Sequence, residues 1–205
     1  MMIYTGIGPR NAPPKVLEVC EQIGAHMAKR KWKLRTGAGS DAVSSGCDLA
    51  FRKGAESHFP QQDCSIYLEL FCPSNSQSKG LEWGTLEAPN ALQYVGSEPL
   101  AKALVRALHP KGKGLAPDHL ELHARNVHQL IGPSGNLDRK SNLLILWTPG
   151  GAPTEGGTGM TQKIAHVLPG RHSEFNIGMF DLDNPTDLEA MWAHLNLVVH
   201  SLEFE

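Results

Sequence analysis

Short apolar segments alternate with longer segments of helical periodicity over the first 70 residues. Residues 2–7 predict a strand, and apolar positions between Val16 and Ala28 then recur at the spacing of a helix with one buried face. Pro13 and Pro14 precede this periodic segment, where proline is tolerated because first-turn amides have no partner within a helix. Two further strands follow in the same alternation, which predicts a parallel sheet with helices on its faces.

The alternation continues to the end of the chain with one interruption. Residues 71–97 are polar and rich in turn-forming residues, so we predict a long loop or an insertion there. The run at 142–147 is the most apolar of the chain and predicts a central strand. The predicted strands are 2–7, 32–35, 65–70, 142–147 and 175–180, and the predicted helices are 13–28, 48–53, 98–108, 117–131, the segment after 158, and 186–194.

These elements predict one α/β domain over residues 1–205. We expect a three-layer sandwich, in which a mostly parallel central sheet lies between two layers of helices. A chain of 205 residues is long enough to bury a core of this kind without disulfides or a metal.

Composition and charge exclude several classes of protein. The formal net charge of −2 disfavours a protein that binds nucleic acid by neutralising its phosphate backbone. We expect no membrane partner, because no apolar stretch is long enough to cross a bilayer and the N-terminus lacks the features of a signal peptide. The four cysteines show no C-x-x-C spacing, which favours a reduced, cytoplasmic protein.

Three glycine loops each follow a predicted strand. They are TGIGPR at 5–10, TGAGSD at 36–41 and TPGGAPTEGGTG at 148–159, and we call them the first, second and third glycine loops. Glycine lets backbone amides approach a phosphate closely, and a following helix N-terminus adds positive partial charge. One such loop is explained equally well as a turn. Three at the carboxyl edge of one parallel sheet predict a site for an anionic ligand.

Several better-known sites are absent from the sequence. There is no G-x-x-x-x-G-K-[ST] motif of a P-loop, and GAGSDA follows the second strand, where a dinucleotide fingerprint is not expected. The ten histidines form no H-E-x-x-H motif, so we expect neither a metal nor another cofactor.

Three segments of the chain resemble one known family. They are the segment at 3–55 that begins IYTGIGPRNAPP and ends CDLAFRKGA, HARNVHQLIG at 123–132, and LLILWTPGG with GGTGMTQKIA at 143–165. In this order they are similar to small SLOG-superfamily proteins often found in bacteriophages. These proteins are related to the DNA-processing protein A family and to the cytokinin phosphoribohydrolases. The resemblance implies a Rossmann-like fold, a ligand built from a nucleotide or nucleotide-sugar, and a homo-oligomer, with the apolar run at 195–204 as one candidate contact.

The resemblance also bears on whether the ligand is held or cut. The phosphoribohydrolases carry a PGGxGTxxE pattern, whose glutamate acts with an arginine from a preceding helix. Aligned with it, this chain has Gln162 in place of the glutamate and Arg125 in place of the arginine. A neutral amide cannot serve as a general base, so we interpret Arg125 as a clamp for phosphate or carboxylate. Binding is favoured over cleavage, and Glu155 is the best candidate for a catalytic carboxylate.

The candidate ligand-binding residues come from the three loops and from positions near them. Ser40 and Asp41 either bind a ribose or cap the next helix. Glu69 is either a ligand contact at the end of the strand 65–70 or an exposed acid there. Trp147 follows an apolar run, which indicates the core rather than stacking on a base. The full candidate set is Gly6, Gly8, Arg10, Gly37, Gly39, Ser40, Asp41, Glu69, Arg125, Gly150, Gly151, Gly156, Gly157, Thr158 and Gly159.

Three functions remain open at this stage. The leading one is a protein that binds a nucleotide-derived small molecule, such as an ADP-ribose derivative or a cyclic nucleotide. In the phage setting that the resemblance implies, it would sequester a host immune signalling nucleotide in the host cytoplasm. The second is an N-glycosidase, for which Glu155, Glu69 or Asp41 would supply the carboxylate. The third is a single-stranded DNA-binding recombination mediator, which the net negative charge disfavours.

Overall fold

A computed structural model describes residues 1–38, 46–59, 64–73, 92–95, 99–135, 139–151, 156–168 and 178–194. The strands are β1 (Ile3–Ile7), β2 (Lys33–Gly37), β3 (Leu68–Pro73), β4 (Leu92–Val95), β5 (Leu143–Leu146) and β6 (Gly178–Asp181). The helices are α1 (Pro14–Lys29), α2 (Cys47–Glu56), α3 (Cys64–Tyr67), α4 (Pro99–Leu108), α5 (Pro117–Ile131), α6 (Gly157–Val167) and α7 (Pro185–His194).

The strands form one six-stranded sheet in the order β4-β3-β2-β1-β5-β6. Every neighbouring pair is parallel. The predicted α/β class with a parallel central sheet is therefore confirmed. The strand β5 is interior, as its apolar sequence predicted, because it pairs with β1 on one side and β6 on the other.

Helices cover both faces of the sheet and bury a separate apolar cluster on each. One cluster contains buried side chains from α1, α2 and α7, and the other contains buried side chains from α4, α5 and α6. These three layers make the fold a Rossmann-like α/β sandwich. None of the helices in the described part of the chain combines the length and the apolar character that a bilayer crossing requires.

Two strand predictions were wrong in detail. The segment 71–97 was predicted as a loop or insertion, but it contains β4, which extends the sheet beyond β3. The strand predicted at 65–70 instead begins at Leu68 and continues to Pro73, because residues 64–67 form the short helix α3. This shift of the strand changes the position of Glu69.

The helices α1 and α2 approach each other through two glycines. A Cβ atom on Gly54 would overlap the carbonyl oxygen of Glu21 and would lie 2.9 Å from the backbone nitrogen of Ala25. A Cβ atom on Gly24 would overlap the carbonyl oxygen of Phe51. The two backbones are therefore in direct contact, which fixes the position of α2 relative to α1.

Candidate functional site

The order of the strands creates a switch point between β1 and β5. From β1 the chain proceeds outward through β2 and β3 to β4, and it returns to the other side of β1 to form β5. In open parallel sheets of this kind, ligands bind beyond the carboxyl ends of the strands at the switch point. The first glycine loop follows β1 and the third follows β5, so both lie at this point.

A carboxylate that the sequence reasoning missed connects the first two glycine loops. The amide of Gly8 donates to Oδ1 of Asp48 at 3.2 Å, and the amide of Gly37 donates to the same carboxylate. A Cβ atom on Gly37 would overlap Oδ2 of Asp48, so glycine is needed for this approach. The only sequence signal was an acid in the first turn of a helix, which is common because it complements the helix dipole.

Asp48 lies in a partly buried environment with two arginines. Burial raises the pKa of Asp48 above its ordinary value, although Arg125, the two amides and Arg10 act in the opposite direction. Arg10 and Arg125 were both predicted ligand contacts, and both act electrostatically on this carboxylate, Arg125 from a partly buried position and Arg10 from an exposed one. The cluster of Arg10, Asp48 and Arg125 carries a formal charge of +1 when all three groups are ionised.

The guanidinium of Arg125 is held in one orientation. Its Nε and Nη2 donate to Oδ1 of Asn126 at 3.1 Å and 2.7 Å. Its Nη1 would lie 2.6 Å from a Cβ atom on Gly37, so that side of the guanidinium faces the end of β2. Burial lowers the pKa of Arg125, and the charge of Asp48 opposes this effect. Arg125 is thus a partly desolvated cation at the edge where a ligand is expected.

The third glycine loop leads into the N-terminus of α6. Gly150 and Gly156 have φ angles of 76° and 111°, and a Cβ atom on either would meet nothing within 4 Å. Among the described residues no side chain caps the N-terminus of α6. The carbonyl oxygen of Gly157 accepts a hydrogen bond from Nδ2 of Asn126 at 3.0 Å. Open amides at a helix N-terminus are a common site for phosphate.

The start of the third loop is fixed by acids at the end of β6. The amide of Thr148 donates to Oδ1 of Asp181 at 3.1 Å, and its hydroxyl donates to the other carboxylate oxygen. The indole Nε1 of Trp147 donates to Asp183 at 2.9 Å. Trp147 is 7% exposed and belongs to the core, which agrees with the interpretation from its apolar context.

Glu69 does not lie at the carboxyl end of its strand, and its predicted position was wrong. It is the second residue of β3 and is in register with Arg35 of β2. Its carboxylate accepts hydrogen bonds from Arg35 at 2.6 Å and from Lys33 at 3.2 Å. Burial alone would raise the pKa of Glu69, but the two cations outweigh it and lower the pKa. The role that its contacts support is to neutralise Arg35, which is 1% exposed.

The remaining candidates divide into packing positions, loop positions and positions outside the described residues. A Cβ atom on Gly6 would lie 2.6 Å from the ring of Phe51, so this glycine allows β1 to pack on α2. Gly151 ends a short 3-10 turn in the third loop, and Thr158 and Gly159 lie in the first turn of α6.

Gln162 lies in the second turn of α6, where its buried Oε1 has no hydrogen-bond partner among the described residues. Outside the described residues are Gly39, Ser40, Asp41, Glu155 and the run at 195–204.

A histidine beside the arginine cluster is held in its neutral form. His123 is 7% exposed, and its ring packs against that of His109 with 4.9 Å between the ring centroids. Burial, followed by the charges of His109, His119 and Arg125, lowers the pKa of His123 to about 4. Over the described ranges, no group of three or more His, Cys, Asp or Glu side chains could hold a metal ion.

The pKa of His123 predicts a loss of stability in mild acid. The unfolded chain takes up a proton near pH 6.5, whereas folded His123 stays neutral to about pH 4. The free energy of unfolding should therefore fall as the pH drops from 6.5 to 4, by about 3 kcal/mol at the lower limit. Urea unfolding of wild type and of His123→Gln at several pH values measures this fall in the free energy of unfolding. The variant should lack the part of the fall that is due to His123. The control is His166→Gln on an exposed position of α6. Parallel losses in wild type and His123→Gln would contradict the prediction.

Comparison of the chain with protein-family models, with curated proteins and with solved structures found no match.

Proposed function

We propose that this protein binds a small, anionic, nucleotide-derived ligand at the switch point between β1 and β5. The observation that carries the proposal is the partly buried guanidinium of Arg125 beside Asp48 at the switch point, with the exposed Arg10 as a second cation near the same carboxylate. A partly desolvated cation is unfavourable by itself, and an anionic ligand would reduce this cost.

The chemistry of the cluster favours phosphate over other anions. A guanidinium presents its donors in a planar fork that matches the oxygens of a phosphate. The N-terminus of α6 adds amides and positive partial charge at the adjoining loop. The guanidinium of Arg125 and the N-terminus of α6 would together bind the anionic part of the ligand. The amides of Gly8 and Gly37 contribute indirectly, because they hold Asp48 in the cluster.

The proposed class of ligand rests on the resemblance to small SLOG-superfamily proteins. On that basis we propose a nucleotide-derived molecule such as an ADP-ribose derivative or a cyclic nucleotide. The protein would act as a homo-oligomer that sequesters a host immune signalling nucleotide during phage infection. The replacement of the hydrolase glutamate by Gln162 supports sequestration without cleavage.

A binding panel tests this function directly. The purified protein is titrated calorimetrically with ADP-ribose, cyclic mononucleotides and dinucleotides, nucleoside monophosphates and inorganic phosphate. The bound ligand is then released by heat and identified by its mass. We expect binding of at least one nucleotide and recovery of that nucleotide intact. Absence of binding to every member at millimolar concentration would contradict the proposal, and a gel shift with single-stranded DNA at two salt concentrations would test the recombination-mediator alternative.

Asp48 favours one alternative, the hydrolysis of an N-glycosidic bond. Such a reaction adds water to the anomeric carbon and releases the protonated base, and it requires a carboxylate near the bond. Of the carboxylates that the sequence suggested, Glu69 lies near the start of β3, and Asp41 and Glu155 lie outside the described residues. The structure instead places Asp48 beside Arg125. Recovery of a free base from the same panel, together with its loss in Asp48→Asn, would establish this alternative.

A further inference from the structure

Asn126 lies at the junction of α5 and α6 and is 3% exposed. Its side chain makes three hydrogen bonds. Oδ1 accepts from Nε and Nη2 of Arg125, and Nδ2 donates to the carbonyl oxygen of Gly157 in the first turn of α6. One side chain thus contacts both components of the proposed anion site.

The contact between Arg125 and Asn126 is not a default of helix geometry. Neighbouring residues on a helix do not face each other, so the arginine side chain has to bend toward the amide to reach it. One oxygen then binds two nitrogens of the guanidinium, which fixes its plane. Nη1 remains directed toward Gly37 and Asp48.

The contact with Gly157 requires a close approach of the two helices. A Cβ atom on Gly157 would lie 2.9 Å from Nδ2 of Asn126, tighter than a side chain normally tolerates. The hydrogen bond of 3.0 Å to this carbonyl holds the beginning of α6 against α5. The position of the α6 amides and the orientation of Arg125 therefore depend on the same amide group.

Asn126 occupies one edge of the Arg125 guanidinium. Nε and Nη2 each donate one hydrogen to its Oδ1. A guanidinium has five N–H donors, so Nη1 and the second hydrogen of Nη2 remain for other acceptors. Nη1 lies next to Gly37, close to Oδ2 of Asp48. The outer edge of the guanidinium is therefore the one that can bind an anion.

We propose that Asn126 is a positioning residue for anion binding. It orients Arg125 and the first turn of α6 toward the same anion, and it leaves the outer edge of the guanidinium to bind that anion. This inference rests on the proposed function, because it concerns the same site. The probe that tests it is inorganic phosphate, the chemistry that all of the proposed ligands share.

The experiment combines a double-mutant cycle with a measurement that needs no ligand. Phosphate affinity is determined by calorimetry for wild type, Asn126→Ala, Arg125→Ala and the double variant. We expect Asn126→Ala to weaken phosphate binding at least 10-fold in wild type and less than 2-fold in the Arg125→Ala background. The control is Asn142→Ala, which removes another side-chain amide, one bonded to the backbone of Ile3, and should leave the affinity unchanged.

The ligand-free measurement is the ¹H–¹⁵N resonance of Arg125 Nε–H, assigned by comparison with Arg125→Ala. It should exchange slowly with water in wild type and rapidly in Asn126→Ala. Equal costs of Asn126→Ala in both backgrounds, or an unchanged exchange rate, would overturn the inference. If wild type binds neither phosphate nor any nucleotide of the panel but the exchange rate changes as expected, the proposed function fails while the orientation of Arg125 by Asn126 stands.

A second variant covers the case in which Asn126→Ala does not fold. Asn126→Asp keeps an acceptor for Arg125 but cannot donate to Gly157. Its Arg125 Nε–H should remain protected, and its phosphate affinity should still fall at least 10-fold. Rapid exchange in a folded Asn126→Asp, or unchanged affinity, would count against the proposal.

Discussion

Replacement of Arg125 by alanine is expected to lower the affinity for the nucleotide-derived ligand about 100-fold, because one charge-assisted contact in a desolvated site contributes about 1.5–3 kcal/mol. The guanidinium is held by Asn126 and would therefore bind the proposed ligand without further ordering. Lysine at this position restores charge but not the planar fork, so Arg125→Lys should recover only part of the affinity.

The control for Arg125 removes an equal charge elsewhere. Arg106 is an exposed arginine of α4, so Arg106→Ala changes the net charge by the same amount. Its effect on calorimetric affinity should stay within about 2-fold at 0.15 M salt, where surface charges are largely screened. If the two variants lose affinity equally, the affinity for the ligand depends on the net charge of the protein rather than on the cluster, and the proposed site is wrong.

The substitution Gly54→Ala is expected to destabilise the fold by about 3 kcal/mol, the upper part of the usual range for overpacking. Its Cβ atom would overlap the backbone of α1 at Glu21, and a backbone cannot move aside as a flexible side chain can. No other pair of elements is as extensively packed as α1 and α2 in the described part of the chain. Alanine is intrinsically better than glycine in a helix by about 1 kcal/mol, so any loss has to come from the collision.

Urea unfolding with a matched glycine measures this effect. A Cβ atom on Gly114, in the short 3-10 helix after α4, meets nothing within 4 Å. Gly114→Ala should therefore change the free energy of unfolding by less than about 0.5 kcal/mol. A Gly54→Ala protein as stable as wild type would mean that α1 and α2 can separate without loss.

The sequence predicted most of the fold because its strong signals are local. The apolar runs of β1 and β5 and the periodic apolar face of α1 were sufficient to predict those elements from nearby residues alone. The strand β4 was missed because Leu92–Val95 is only four residues long and lies within a polar, turn-rich segment. Residues 65–67 were included in a strand because the helical turn at 64–67 is too short to establish a period.

The site was predictable only in its loops and arginines. Glycine-rich turns after strands, and Arg125 through the family resemblance, could be identified from the sequence. Asp48 and Asn126 could not, because their roles arise from contacts between separate elements. Asp48 bonds to a loop 40 residues away, and Asn126 to a carbonyl 31 residues away. The buried pair of Arg35 and Glu69 is a similar case, since nothing local distinguishes a sheet-bound acid from an exposed one.

The connection through Asp48 has a consequence for redesign of the ligand preference. The loops after β1 and β2 share one carboxylate through the amides of Gly8 and Gly37. A graft of either loop from another protein would have to reproduce the backbone path that meets Asp48, or the other loop would lose its anchor as well. A change of ligand preference therefore requires that both loops be exchanged together with the first turn of α2, as one unit.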